Sequence, residues 1–241
     1  MRKILVIFKW IAAIILLVVL LVFTDYRQSV EEISLQHITI KESTQNFVSK
    51  RNVLHYLQDK FMHPDSISTV NFNAEDLENL LEKHPAVKQV EVFLNQKGDI
   101  QILIEQNKAL IRIKSNTEDY YLDEFGERME LSDEFTPALM VATGDITIKD
   151  HSNIYDFVNE INKSDFWNAQ ITQIHFDNDD LFLIPRVGSQ KINIGSFDNL
   201  VEKLENLYQF YIVSMPVKGW QAYSDINLKF KNQIVCTKNK K

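Results

Sequence analysis

Two periods organise this chain, and its first stretch has neither. From Ile4 to Phe23 every residue is apolar except Lys9. Twenty helical residues at ~1.5 Å each span roughly 30 Å, about one bilayer core. No face of the segment is polar, which argues against a buried helix of a globular domain. Lys9 lies near one end, where its stem can snorkel toward head groups. Arg2, Lys3 and Lys9 precede the main apolar block, and Asp25, Glu31 and Glu32 follow it. The positive-inside rule therefore predicts a single-pass anchor, with Met1 in the cytoplasm and everything after Thr24 across the membrane. A cleaved signal peptide would need small residues at its cleavage site, and residues 21–29 hold no Ala-x-Ala pattern. Ile4, Trp10 and Phe23 mark the predicted anchor.

Residues 24–35 are polar and mixed in charge, and read as a stalk. A loose alternation over Ile33–Ile40 suggests a strand. Ser49 can cap a helix carrying Leu54, Leu57 and Phe61, which Pro64 closes. Asn73 can cap the next helix, where Glu75 and Asp76 suit the positive end of the dipole. Leu77, Leu80, Leu81 and His84 then fall at helical spacing, and Pro85 stops the element. At Val90, Val92 and Leu94 the period changes to two. It resumes at Ile100, Ile102 and Ile104 beyond a Lys97-Gly98 turn, giving a hairpin with one apolar face. Residues 36–106 thus predict a small α+β domain with two helices on a three-stranded sheet.

The second half repeats both periods. Tyr120–Leu122 and Arg128–Leu131 flank Gly126 as a hairpin, and Ile154, Phe157, Val158 and Ile161 form a helical stripe. Ile171, Ile174 and Phe176 begin a strand that turns at Asn178-Asp179-Asp180 into Leu181–Ile184. Ser196 can cap a helix striped by Phe197, Leu200, Val201, Leu204, Leu207, Tyr208 and Tyr211. Two terminal strands, Asp225–Phe230 and Gln233–Thr237, surround a Lys231-Asn232 turn. Residues 107–238 predict a mostly antiparallel sheet with two packed helices, followed by a tail at 239–241.

Charge narrows the partners. The net charge is −7, and the predicted anchor region holds three of the 26 basic side chains and none of the 33 acidic ones. The rest is more acidic than the whole, a poor match for nucleic acid. One cysteine, Cys236, excludes an intramolecular disulfide. The six histidines are scattered, without metal-ligand spacing, and no Walker or Rossmann glycine pattern is present. His84 reads as a carbonyl cap at a helix end, and Cys236 as a small packed or half-exposed side chain. The aromatic stretch Leu207–Ile212 reads as a helix core stripe. These positions assemble no catalytic constellation and call for no cofactor. A sheet whose last strand ends the ordered chain does offer backbone groups to a partner's strand. Lys238, Lys240 and Lys241 beside it read equally as guards of that edge, as a match for an acidic partner, or as a solubilising tail.

The order of these elements resembles a known layout. The stretch Asp76 to Ile104 (DLENLLEKHPAVKQVEVFLNQKGDIQILI) is similar to the second helix and hairpin of the POTRA domain in the FtsQ/DivIB family of bacterial cell-division proteins. Ala109-Leu110-Ile111 sits where the family carries a Pro-Ala step, without the proline. Tyr120-Tyr121-Leu122-Asp123-Glu124-Phe125-Gly126 is similar to the family's tyrosine-x-aspartate-x-x-glycine hairpin, and Pro137 to Gly144 to its apolar run ending in glycine. Ile192-Asn193-Ile194-Gly195 precedes a helix as in the family. Asp225-Ile226-Asn227-Leu228-Lys229-Phe230 resembles its aspartate-leucine-arginine-tyrosine strand, with Lys229 and Phe230 in place of arginine and tyrosine.

The resemblance implies a cytoplasmic tail (1–3), a transmembrane helix (4–23), a stalk (24–35), a POTRA domain (36–106) and a β-domain (107–238). It implies a non-enzymatic divisome scaffold of the inner membrane, enriched at the septum, with its C-terminal domains in the periplasm. The implied partners are FtsB and FtsL, and through them the septal peptidoglycan synthase FtsW–FtsI, with FtsK as a further candidate. Carried onto this chain, the partner-binding positions are Phe230, Gln233, Ile234, Val235, Cys236 and Thr237, through strand addition. No cofactor, metal, nucleic acid or small-molecule substrate is implied. The alternatives are a POTRA-bearing secretion or outer-membrane assembly factor, for which a second POTRA copy is missing, and an anchored periplasmic enzyme.

Overall fold

The computed structural model describes residues 10–20, 22, 37–60, 73–95, 100–178 and 180–239. Helix α1 covers residues 10–20, and its aliphatic side chains are exposed on every face. Among the described residues no helix is long and apolar enough to cross a membrane. Trp10 lies on α1 and is exposed, whereas Ile4 and Phe23 of the predicted anchor lie outside the described residues, as do Phe61, Pro64 and the Lys97-Gly98 turn.

The chain divides between Gln106 and Asn107 into two compact units. The first holds β1 (His37–Ile40), α2 (Lys50–Lys60), α3 (Ala74–Leu81), β2 (Val87–Leu94) and β3 (Ile100–Gln106). Its sheet runs β1-β3-β2, with β3 parallel to β1 and antiparallel to β2. The central strand carries Ile100, Ile102 and Ile104, all fully buried. Val53 and Leu57 of α2 and Leu77 and Leu81 of α3 bury the helical stripes. Both expected caps form: Ser49 Oγ accepts from Asn52 N–H at 3.3 Å, and Asn73 Oδ1 accepts from Glu75 N–H at 3.1 Å. His84 differs from expectation. Its Nδ1 accepts from Ala86 N–H at 3.2 Å, so the ring caps a backbone donor instead of a helix carbonyl, and burial pushes its pKa down.

The second unit is one nine-stranded sheet in the order β12-β11-β10-β9-β8-β7-β4-β5-β6. Its strands are β4 (Ala109–Ser115), β5 (Asp119–Asp123), β6 (Arg128–Met129), β7 (Val141–Gly144), β8 (Ile171–Asp177), β9 (Asp180–Pro185), β10 (Lys191–Gly195), β11 (Tyr223–Asn227) and β12 (Val235–Lys238). Five pairings are antiparallel. The parallel ones are β4 with β7, β7 with β8, and β10 with β11. Among the described residues three α-helices accompany the sheet, not two: α4 (His151–Asn162), α5 (Asp165–Gln170) and α6 (Leu200–Lys218). Ile154, Phe157, Val158 and Ile161 of α4 pack with Trp167 of α5 and with Leu204, Leu207, Tyr211 and Met215 of α6 over Ile113, Ile174, Leu183 and Ile192.

Two local expectations at α6 are corrected. Ser196 does not cap the helix. Its Oγ accepts from Asp198 N–H at 3.3 Å within the preceding turn, and the N-cap is Asn199 in a left-handed conformation, φ 53°. Val201 also leaves the predicted apolar stripe and is exposed. Leu204, Leu207 and Tyr211 of that stripe are buried as expected, joined by Met215.

Candidate partner-binding edge

The last two strands are built by one hairpin. β11 pairs with β12 in antiparallel register, Ile226 opposite Cys236 and Asn227 opposite Val235. Ile226 is fully buried and Cys236 half-buried, with burial raising the thiol pKa. The connection is longer than the expected Lys231-Asn232 turn. After Asn227 the chain leaves the ladder, and Leu228 N–H donates to Asn193 O at 2.8 Å. Gln233 N–H then donates to Phe230 O at 3.2 Å, and Asn232 takes φ 59°. The expected strands Asp225–Phe230 and Gln233–Thr237 are therefore displaced outward from the turn: they end at Asn227 and begin at Val235.

Of the six predicted positions, Val235, Cys236 and Thr237 lie on β12, while Phe230, Gln233 and Ile234 lie in the loop before it. Phe230 is 54% exposed and Val235 47%. A shallow cleft of about 140 Å³ lies between this loop and the first turns of α6, lined in part by Glu202, Asn206, Phe230 and Ile234.

The loop is pinned from beneath. Lys229 Nζ donates to Asp180 Oδ1 at 2.6 Å, and Asn193 Nδ2 donates to Asp180 Oδ2 at 2.9 Å. These two bonds, Lys229 first, hold the Asp180 carboxyl below the usual carboxylate range. The lysine stem crosses Gly195, where a Cβ would sit 2.8 Å from Lys229 Cγ. Lys203 of α6 donates to Ile194 O at 2.7 Å and Ser196 O at 2.9 Å, and burial lowers its pKa. Sequence reasoning placed Asp180 only in a turn and Lys229 only in a motif. Their opposite charges were the available signal, but they lie 49 residues apart.

Like β1, β2 and β6, β12 is an edge strand that pairs on one side only among the described residues, and charged side chains engage two of those other edges. At the far edge of the same sheet, β6 has two residues. Its Arg128 bonds Glu118 at 2.8 Å and Glu130 at 2.9 Å and lies 4.3 Å from the Tyr120 ring centroid. In the first unit, β2 donates Val92 N–H to Glu78 Oε1 at 2.7 Å and Val90 N–H to Glu82 Oε1 at 3.4 Å, so α3 carboxylates occupy two of its outer donors. Charged side chains and shortness are the usual ways of closing an edge to a foreign strand. Among the described residues no group of three or more His, Cys, Asp or Glu is placed to hold a metal ion.

A small α+β unit with two helices and a three-stranded sheet, followed by a large mixed sheet covered by helices, defines the architecture. The FtsQ/DivIB, C-terminal related family model matches residues 108–237, and a POTRA-like domain model matches residues 34–105. The chain belongs to the FtsQ/DivIB family, whose members are membrane-anchored, non-enzymatic cell-division scaffolds. No curated protein matches the chain.

Proposed function

We propose that this protein is a single-pass scaffold of the division septum that captures the FtsB–FtsL pair by accepting a partner strand alongside β12. Through that capture it helps control septal peptidoglycan synthesis by FtsW–FtsI, with FtsK as a further contact. The apolar run Ile4–Phe23 holds it in the inner membrane, with both folded units on the periplasmic side. One observation supports this reading most: among the described residues β12 is unpaired on its outer side, carries exposed Val235 and follows the loop that presents exposed Phe230, whereas Arg128 forms ion pairs at β6 and α3 carboxylates take two outer donors of β2. Backbone pairing would supply affinity, and side chains such as Phe230 would supply selection.

The test is a pull-down of the full chain in detergent with the FtsB–FtsL ectodomains of the same organism, repeated with a chain ending at Ile234. Circular dichroism and a thermal melt check the fold of both. The expected result is capture by the full chain and loss on truncation. Capture that survives truncation moves the site elsewhere, and no capture by the folded full chain overturns the FtsB–FtsL reading.

A further inference from the structure

One end of the second unit carries an apolar and basic surface that strand addition does not use. The buried face of α6 runs through Leu204, Leu207, Tyr211 and Met215. In its first half the opposite pole is polar, with Glu202, Glu205 and Gln209 exposed. In its last two turns the pole becomes apolar: Val213 is 66% exposed, Val217 is 78% exposed, and Ile212 and Pro216 lie beside them. A helix apolar all round is one that something covers.

The neighbouring segments are stitched to this end. Gln190 Nε2 donates to Tyr211 Oη at 3.4 Å and Ser189 Oγ to Gln221 Oε1 at 3.0 Å. Asn239 Nδ2 donates to Gln221 O at 2.7 Å, and Trp220 stacks edge-on against Tyr211 at 5.1 Å. The 186–191 loop, the end of α6 and the end of β12 thus converge. They bring Arg186, Lys191, Lys218 and Lys238, all exposed, to an otherwise acidic protein, together with exposed Val187.

Strand directions add a third observation. β4, β7, β8, β10 and β11 all begin at this end of the sheet, and β9 and β12 finish there. The chain enters the unit at that end, through Ala109.

We infer that the C-terminal turns of α6 and the adjoining loops rest on an anionic lipid surface. Charge complementarity selects an anionic occupant, and the shape selects a bilayer over a protein. The apolar part is the convex outer pole of a helix, and it consists of valine, isoleucine and proline. Protein hot spots favour Trp, Tyr and Arg seated in pockets, with valine under-represented and lysine depleted. Aliphatic residues ringed by lysines, with a tryptophan at the margin, suit the head-group boundary.

The inference rests on the anchored reading. The test places the full chain in nanodiscs of phosphatidylcholine alone and of phosphatidylcholine with phosphatidylglycerol, and follows amide hydrogen exchange. Expected is slower exchange at residues 209–219 in the anionic discs, with β7 and β8 unchanged. Each Lys→Gln change at Lys191 or Lys218 should cut the protection roughly fivefold, the worth of one lysine near an anionic surface. V213Q/V217Q, both at exposed positions, should remove it without altering exchange in the sheet. Equal protection in both discs overturns the inference, as does protection that appears only when an acidic protein is added. A chain that fails to copurify with either disc overturns the anchored reading and this one together.

Discussion

Lys229 reaches across β10 to Asp180, with Nζ 2.6 Å from Oδ1, and so ties the exit of β11 to the start of β9. The pair is partly exposed, at 43% and 28% of the two side chains. Such pairs contribute little alone, ~0.5 kcal/mol. Its larger consequence is geometric, because it holds the loop that presents Phe230. K229M should lower stability by only about 0.5 kcal/mol in urea melts at pH 7. Because the folded Asp180 pKa is depressed, the contribution is complete above the ordinary carboxylate pKa and is lost as pH falls through the lower folded value. Wild type and K229M should therefore converge in stability in strong acid. A gap that stays constant down to pH 2 would show that the ion pair is not its source.

Gly144 and Gly219 separate backbone strain from collision. Both have positive φ, 101° and 85°. A Cβ on Gly144 would lie 1.9 Å from Phe176 O, whereas one on Gly219 meets nothing within 4 Å. Gly219→Ala should cost ~1–2 kcal/mol from its backbone conformation alone. Gly144→Ala should cost at least ~3 kcal/mol, since the β7–β8 pairing must shift. Equal losses in thermal melts would contradict the steric argument.

Phe230 is exposed, so its removal should spare the fold. Phe230→Ala should leave the melting temperature unchanged within about 1 °C and weaken FtsB–FtsL capture roughly tenfold or more, as for an aromatic anchor. Binding measured by calorimetry at wild-type affinity would remove Phe230 from the site.

His84 gives the first unit a weakness in mild acid. Its ring accepts from Ala86 N–H and therefore must stay neutral at Nδ1, and burial lowers its pKa. The unfolded chain binds that proton more readily, so stability is full above the ordinary histidine pKa of ~6.5 and falls as pH drops from there through the lower folded value. NMR should show the His84 ring titrating below the ordinary histidine value. A His84 titration at or above the ordinary value would refute this account.

Phe157 is fully buried and lies 5.7 Å from Phe197, centroid to centroid, in the core of the second unit. Phe157→Ala should cost ~3–5 kcal/mol and broaden the amide spectrum of the whole nine-stranded sheet. A loss under ~1 kcal/mol would mean that the cavity collapses around α4.

Wherever burial follows a short period, the sequence by itself determined the elements. Ile100, Ile102 and Ile104 of β3 and Ile154, Phe157, Val158 and Ile161 of α4 read directly, because each buried face repeats every two or every 3.6 residues. The order of a small α+β unit before a larger sheet was legible for the same reason, and the resemblance to the FtsQ/DivIB family added the POTRA assignment. Only the tertiary structure decided the rest. α5 spans six residues, too short for a period, and forms under the Ser164 cap by packing Trp167 against α6. The parallel neighbours β4, β7 and β8 lie far apart in sequence, so no local pattern encodes their pairing. The shifted ends of β11 and β12 follow from contacts at long range, Leu228 with Asn193 and Lys229 with Asp180. Which edges are closed was likewise invisible in the sequence, since Arg128, Glu78 and Glu82 act on backbone and side chains that only folding brings beside them. Local periodicity reports which face is apolar, whereas strand order and edge exposure depend on contacts between distant segments.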